Sequence, residues 1–434
     1  MMRKLRAMGR LNRREFLMLT GSSAAALLAA PTFPSHPALA ASQKKTIWFA
    51  TLFHSDAPAM DMIIKKFNAA QGDVEVDLTQ GSWTEYYAQL YNAVVAGKAP
   101  QIAICHDWRF AATHPILIPL NQSPVGNLLE KAGLNKNDYL PYAWGASEVG
   151  GNHYGIPLDQ HMYGIYYNKK LFRDAGLDPE RPPDTLQQFE AAANAIKEKT
   201  GKYAYHPGAY GQARWYRRTW YVYLWQNGGK LLENDAPAFN DAKGVEALEY
   251  LVSTVKRGWN KPGTNGAAQF QAGELGMQVN GNWYYFDAAK SNLDWGFVQM
   301  PKWFEKRFTW GASHNLVIPK QSKDKEEFLL ATAQTIKWIS DNSALWGIHA
   351  GHIPMNKKAL ESEDLRASRT WKQALAEFSK MAVTGVFRSE PYHPKIEEIG
   401  AAIEPHIETA YNGKVSPKEA LAKAERAVRD VLAA

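Results

Sequence analysis

The stretch from Lys45 to Thr51 is β-prone, and it gives way to apolar positions at helical spacing, Met62, Ile63, Phe67 and Ala70, with Asp56 and Pro58 suited to the cap and first turn. Val74, Val76 and Leu78 then alternate with Glu75 and Asp77, as in a strand with one wet face. Ser82-Trp83-Thr84-Glu85 reads as a capping box opening a helix through Tyr86, Leu90, Val94 and Val95, which stops at Gly97 and Pro100. Gln101 to Cys105 is a third, wholly apolar strand. Three strands alternating with two helices predict parallel pairing, and ligands in such sheets collect at the carboxyl ends of the strands. Those ends are Phe53 to Asp56, Gln80 to Trp83 and His106 to Trp108.

Farther along, Gly155, Ile156 and Pro157 make a break, and Tyr163, Ile165, Tyr166 and Tyr167 form an aromatic and β-branched strand ending at Asn168. Asn168 is a cap for a short helix from Lys169 to Ala175, closed by Gly176. Asp184 to Gln187 caps a helix to Thr200, a Trp/Tyr-rich segment runs from Tyr210 to Asn227, and Ala242 to Lys256 is an amphipathic helix with Val245, Leu248, Leu251, Val252 and Val255 on one stripe. Trp310 to Pro319 reads as one returning strand and Lys323 to Ser340 as a helix. Ser416-Pro417-Lys418-Glu419 opens a final helix along Leu421, Ala424, Val428 and Val431.

Several of these pieces occur together in one known pattern. A segment of the form GIPxxxxxxxxxYNKxLFxxAGL is met by Gly155, Ile156, Pro157, Tyr167, Asn168, Lys169, Leu171, Phe172, Ala175, Gly176 and Leu177. FxxGxxxMxxxGxW is met by Phe270, Gly273, Met277, Gly281 and Trp283, and a G-x-x-P-x-N turn by Gly351, Pro354 and Asn356. In these motifs and their order the chain resembles extracellular solute-binding proteins of the sugar-binding, maltose-binding-protein-like family, the substrate-binding components of ABC transporters. The resemblance implies an α/β fold of the two-lobe periplasmic binding protein class, type II, each lobe a sheet flanked by helices with a ligand cleft between. It implies an N-terminal lobe of residues 41–156 plus 311–352 and a C-terminal lobe of 157–310 plus 353–434. It further implies a carbohydrate ligand, delivered to ABC transporter permease subunits in the inner membrane by a protein that acts as a monomer.

Composition sets the compartment. The 434 residues, 45% apolar and 21% charged, suffice for two domains with separate cores. Basic residues Arg3, Lys4, Arg6 and Arg10 lead into Asn12-Arg13-Arg14-Glu15-Phe16-Leu17, an apolar run from Met18 to Ala30, and Ala38-Leu39-Ala40. This resembles a twin-arginine signal peptide over residues 1–40, which implies a periplasmic protein. Removing it leaves 44 basic against 42 acidic residues, so the net charge falls from +7 to +2 and no basic patch argues for nucleic acid. Cys105 is the only cysteine, which excludes an internal disulfide, and its apolar neighbours suit burial.

The 15 Trp and 20 Tyr residues point to carbohydrate, because sugar rings offer C–H faces that stack on aromatic planes and hydroxyls that need paired donors and acceptors. Candidate cleft aromatics are Trp83, Trp108, Tyr163, Trp283 and Trp310, with Trp283 the foremost since its family counterpart stacks on ligand. Trp48, Trp144, Trp259, Trp338, Trp346 and Trp371 read as core. Asp56, Asp107 and Asp159 are strand-end carboxylates able to orient hydroxyls, although Asp56 also reads as a helix cap. His54, His106, His161, His314 and His352 fall near the implied cleft, and His161 stands where maltose-binding relatives place a sugar-binding Glu. No HxH or HExxH spacing joins these histidines, which span about three hundred residues, so no metal and no cofactor is expected. Arg214, Arg217 and Arg218 read as a solvated helix face, with an anionic ligand such as a uronate or phosphate as the sharper alternative. The function implied is a receptor that binds and releases a mono- or oligosaccharide without chemistry, hence no catalytic residue. Two alternatives stay open: a secreted glycoside hydrolase, which needs two carboxylates ~5 to 9.5 Å apart, and the same fold binding a ligand such as glycerol phosphate.

Overall fold

The computed structural model describes residues 44–53 and 56–434. Residues 1–40, expected as a signal peptide, and His54 lie outside the described residues. The described residues fold as a mixed helix and sheet structure with two main sheets, flanked by helices, and two small two-stranded ribbons. The first half opens β1 (Lys45–Thr51), α1 (Ala57–Ala70), β2 (Val74–Gln80), α2 (Tyr86–Val95) and β3 (Ile102–His106), and β1 pairs in parallel with both β2 and β3. β3, apolar up to its last residue His106, is buried along its length, as a central strand covered on both faces should be.

Next come β4 (Gly155–Pro157) and the ten-residue β5 (Asp159–Asn168), every residue of which is buried. Asn168 accepts a hydrogen bond from the Leu171 amide and so caps the short helix Lys169–Asp174, a contact worth about 1 kcal/mol. The second half adds α3 (Leu186–Thr200), β6 (Tyr203–His206), α4 (Ala213–Gln226), α5 (Ala242–Lys256), β7 (Leu275–Gly281), β8 (Trp295–Val298), β9 (Thr309–Ala312), β10 (His314–Val317), α6 (Leu329–Asp341), β11 (Ile353–Pro354), β12 (Phe387–Arg388), α7 (Ile396–Tyr411) and α8 (Pro417–Ala433).

The first sheet has the order β2-β1-β3-β10-β4, and the second β12-β9-β5-β7-β6 with β8 and β11 also on β5. β5 is therefore the strand on which the second sheet is built: β7, β8, β9 and β11 all pair with it antiparallel. The chain passes from the first sheet to the second at Leu158, returns at Ser313, and crosses again at His352. The stretch from Trp310 to Pro319 is accordingly two short strands in different sheets, not one returning strand, because the backbone turns at Ser313. Pro157 pairs in the first sheet with Asn315, while Gly311 and Ala312 pair in the second with Met162 and His161.

Three local expectations are corrected. α2 begins at Tyr86 with no side-chain cap, since Ser82 Oγ contacts Thr84 Oγ1 and leaves the box with Glu85 unmade. Asp56 precedes α1 without capping it. Residues Lys323–Phe328 form a 3-10 turn ahead of α6, not its first turns. By contrast the expected caps at Thr185 and Ser416 accept from amides in the first turn of their helices, and Asp241 does the same at α5. Among the described residues no helix is long and apolar enough to cross a membrane.

Candidate functional site

The predicted residues other than His54 converge where the two main sheets meet. Registry explains the first part: Gly281 lies opposite Tyr163 across β7 and β5, so Trp283, just past the strand end, stands beside Tyr163 with ring centroids 5.8 Å apart. Gly281 is required there, because a Cβ at this position would lie 2.0 Å from the Trp283 ring. Asn282 fixes the same turn to the third passage, donating to the Gly351 carbonyl at 2.8 Å and accepting from the Met162 amide at 3.0 Å. Trp310, from β9, lies 5.0 Å from Tyr163 and 6.2 Å from Trp283, and Trp215, at the start of α4, 6.0 Å from Trp283.

From the other sheet, the end of β3 supplies His106, Asp107 and Trp108. Trp108 is 3% exposed and belongs to the apolar core of the second lobe, so the lobes touch here. His106 lies 5.4 Å from Trp108 and 5.7 Å from His161, and its Nδ1 is 2.7 Å from the Tyr87 hydroxyl. Trp83 is half-buried 6.5 Å from His106, with the Arg214 guanidinium 4.5 Å over its ring.

The arginine run is not a solvated face. Arg217 and Arg218 are both 4% exposed. Arg218 Nε lies 3.1 Å from Glu390 and Arg217 Nε 3.3 Å from Glu404, while Glu397 lies 3.1 Å from Arg109 and 3.5 Å from Arg214. Every one of these cations thus has a carboxylate from the C-terminal segment. That partnership was hidden in sequence by the distance between α4 and residues 390–404.

Beneath the aromatics, Asp159, His161, His314 and His352 form a second group. The Asp159 carboxylate is wholly buried. His161 Nδ1 lies 3.1 Å from its Oδ1, His314 Nδ1 2.8 Å from its Oδ2 and His352 Nδ1 3.3 Å from its Oδ2. Trp346 Nε1 donates to Oδ2 at 2.7 Å and the His314 amide to Oδ1 at 3.2 Å. His352 stacks on Trp346 and its Nε2 lies 3.0 Å from Asp56 Oδ2, which is where the Asp56 side chain goes instead of capping α1. Trp346, taken from sequence as core, is buried but also orients the carboxylate.

Burial, with His314 beside it, lowers His161 to about 3, so its imidazole is neutral. Burial alone would raise Asp159, but His314 and His352 hold it well below the usual carboxylate range. His352 is raised, because Asp159 and Asp56 outweigh its burial. Asp107 is pushed up to about 7 by burial, against hydrogen bonds from Ser313 and Trp108. One ligand atom from each of Asp159, His161, His314 and His352 lies within 4.8 Å of all the others, a set able to hold a metal ion. Two surface depressions, one at Lys44, Asp73 and Gln334 and one at Ala367, Arg369 and Gln373, contain none of the candidate residues.

Comparison with known proteins sets this arrangement in context. The family model described as bacterial extracellular solute-binding protein matches residues 50–345. The sn-glycerol-3-phosphate-binding periplasmic protein UgpB of Escherichia coli (strain K12) is 22% identical over 392 residues, covering 83% of this chain and 86% of that one. The cyclic alpha-maltosyl-1,6-maltose binding protein from Arthrobacter globiformis superposes with a TM-score of 0.74 at 24% identity, over 90% of this chain and 99% of that one. UgpB from Mycobacterium tuberculosis, solved in complex with glycerophosphocholine, superposes with a TM-score of 0.77 at 16% identity, over 91% and 99%.

Proposed function

The chain belongs to the bacterial extracellular solute-binding protein family, and from that premise we propose that it is the periplasmic receptor of an ABC importer for a neutral mono- or oligosaccharide. The protein is exported by the twin-arginine route, works as a monomer, and presents its loaded form to permease subunits in the inner membrane. Its lobes divide at Leu158, Ser313 and His352. Ligand bridges them and stabilises the closed state by contacts available only there, and no bond is made or broken.

The observation that carries this reading is the wall of Tyr163, Trp215, Trp283 and Trp310 at the junction of the lobes, beside arginines that are each already paired with a carboxylate. Aromatic faces suit the C–H faces of a sugar, and Trp108 Nε1, buried without a partner, suits a hydroxyl. A phosphate ester needs an uncommitted cation, and Arg218 and Arg217 are committed to Glu390 and Glu404. These pairings favour a neutral ligand over the glycerol phosphate of the related binding proteins.

The test is a thermal-shift panel of neutral sugars, sn-glycerol 3-phosphate and glycerophosphocholine against the purified protein. A neutral sugar at a hundred times its dissociation constant should add ~2.7 kcal/mol. Stabilisation by the phosphate esters alone would overturn the reading.

A further inference from the structure

Each of the three passages between the lobes delivers a metal-binding side chain to one buried point. Asp159 and His161 follow the first passage, His314 directly follows the second at Ser313, and His352 ends the third. We propose that these four residues hold one divalent transition-metal ion of the zinc class at the lobe junction, whatever ligand lies between the lobes.

The donor set is three imidazole nitrogens and one carboxylate oxygen, the mixture of ligands zinc accepts in four-coordinate sites. Ligand atoms ~2.0 to 2.2 Å from a tetrahedral ion lie roughly 3.3 Å from one another. Nδ1 of His161 lies 3.1 Å from Asp159 Oδ1, Nδ1 of His314 and of His352 lie 2.8 and 3.3 Å from Oδ2, and all four ligand atoms lie within 4.8 Å of one another, a set that closes on that spacing by small side-chain shifts. All four side chains are at least nine-tenths buried, as a site sealed from competing water requires.

The hydrogen bonds make a second, independent case. A carboxylate offers about four lone-pair positions. Asp159 accepts from two obligate donors, the His314 amide and Trp346 Nε1, and its remaining positions face Nδ1 of His161 and His314, which bind an ion once they give up their protons. His352 Nδ1 is left buried with no hydrogen bond. With its Nε2–H donating to Asp56, this nitrogen turns a lone pair toward the carboxylate, an arrangement that needs a cation between them. The outer contacts are those of ligating groups: Asp56 orients His352, and Trp346 orients Asp159. A proton on His352 is the rival cation, and metal retention separates the two.

The experiment uses untagged protein stripped with chelator, then given Co²⁺ or Zn²⁺ in sugar-free buffer, so that its outcome is independent of the sugar reading. One equivalent of metal should remain per chain through desalting. The Co²⁺ form should show the visible absorption of a four-coordinate site, and X-ray absorption of the Zn²⁺ form should count three imidazoles and one oxygen at ~2.0 to 2.2 Å. His314→Ala should abolish retention, Asp56→Asn should weaken it roughly 10- to 100-fold, and His406→Ala, on the partly exposed α7, should change nothing. Wild-type protein that retains no metal, or a coordination shell with fewer than three imidazoles, overturns the proposal. The wild-type reading decides even where a variant fails to fold.

Discussion

Trp310 lies with its ring 4.1 Å beneath the guanidinium of Arg218, and its Nε1 donates at 2.7 Å to Glu390, the carboxylate that also takes Arg218 Nε at 3.1 Å. Face, edge and charge are thereby fixed by one another, and the indole plane is held for stacking. The side chains of Arg218 and Glu390 are 5% and 2% exposed, so removing one charge leaves the other buried and unpaired.

Glu390→Gln keeps an acceptor for the indole but takes the counter-charge from Arg218. Breaking a buried pair in this way costs about 3 to 5 kcal/mol, which urea unfolding should register. The released cation should also change the ligand preference. In the thermal-shift panel the variant should gain a response to sn-glycerol 3-phosphate that the wild type lacks. An unchanged ranking of ligands would mean that Arg218 does not face the ligand.

Gly281→Ala tests the aromatic wall from behind. The added methyl would sit 2.0 Å from the Trp283 ring, so the indole must swing off Tyr163. Overpacking of this kind costs about 1 to 3 kcal/mol, and most of the sugar-induced stabilisation should disappear with it. Trp283→Ala should abolish that stabilisation while leaving the free protein folded, because Trp283 is only half-buried. A full sugar response in both variants would remove Trp283 from the site.

What could be read beforehand follows the range of the interaction. Caps at Asn168, Thr185 and Ser416, the alternation of β2 and the apolar run of β3 all rest on neighbours a few residues apart. The meeting of Trp83, Trp108, Tyr163, Trp283 and Trp310 was readable because Trp83, Trp108 and Trp283 follow strand ends and Tyr163 and Trp310 lie on the segments that cross between the sheets. The errors lie where a partner is remote. Arg217 and Arg218 read as solvated because Glu390 and Glu404 come from the C-terminal segment. Asp56 read as a cap because His352 reaches it only through the third passage. His161 and His314 showed no ligand spacing, since the strands bearing them meet across the bend at Ser313, with ring centroids 4.4 Å apart.

Asp107 should give stability a pH dependence of definite sign. Its folded-state value is raised from 3.8 to about 7, chiefly by burial. Between those values the unfolded chain has released a proton that the folded protein still holds. Stability should therefore fall as pH rises from 4 to 7, by at most ~1.4 kcal/mol per unit, and level off above. Asp107→Asn cannot ionise, so its urea midpoints over pH 4 to 8 should decline less steeply. Identical slopes in the two proteins would show that Asp107 ionises freely when folded.

Contacts between the lobes should set the affinity for ligand without touching it. Arg109 follows β3 in the first lobe and pairs with Glu397 of α7 at 3.1 Å; Arg214 of α4 covers Trp83 of the first lobe at 4.5 Å. On the proposed closure of the lobes, both contacts part to admit a ligand to Tyr163 and Trp310 and re-form around it. Glu397→Gln weakens the first contact, and with side chains 20% and 29% exposed the pair contributes about 1 kcal/mol. A ligand that binds the closed form loses affinity in proportion to the population of that form. The dissociation constant for the best sugar should accordingly rise roughly fivefold, and small-angle scattering of the unliganded variant should give a larger radius of gyration. Enthalpies and sugar ranking should stay as in the wild type, because the lining aromatics are untouched. A change in ranking, or a constant unmoved by the substitution, would mean that Arg109 and Glu397 take no part in closure.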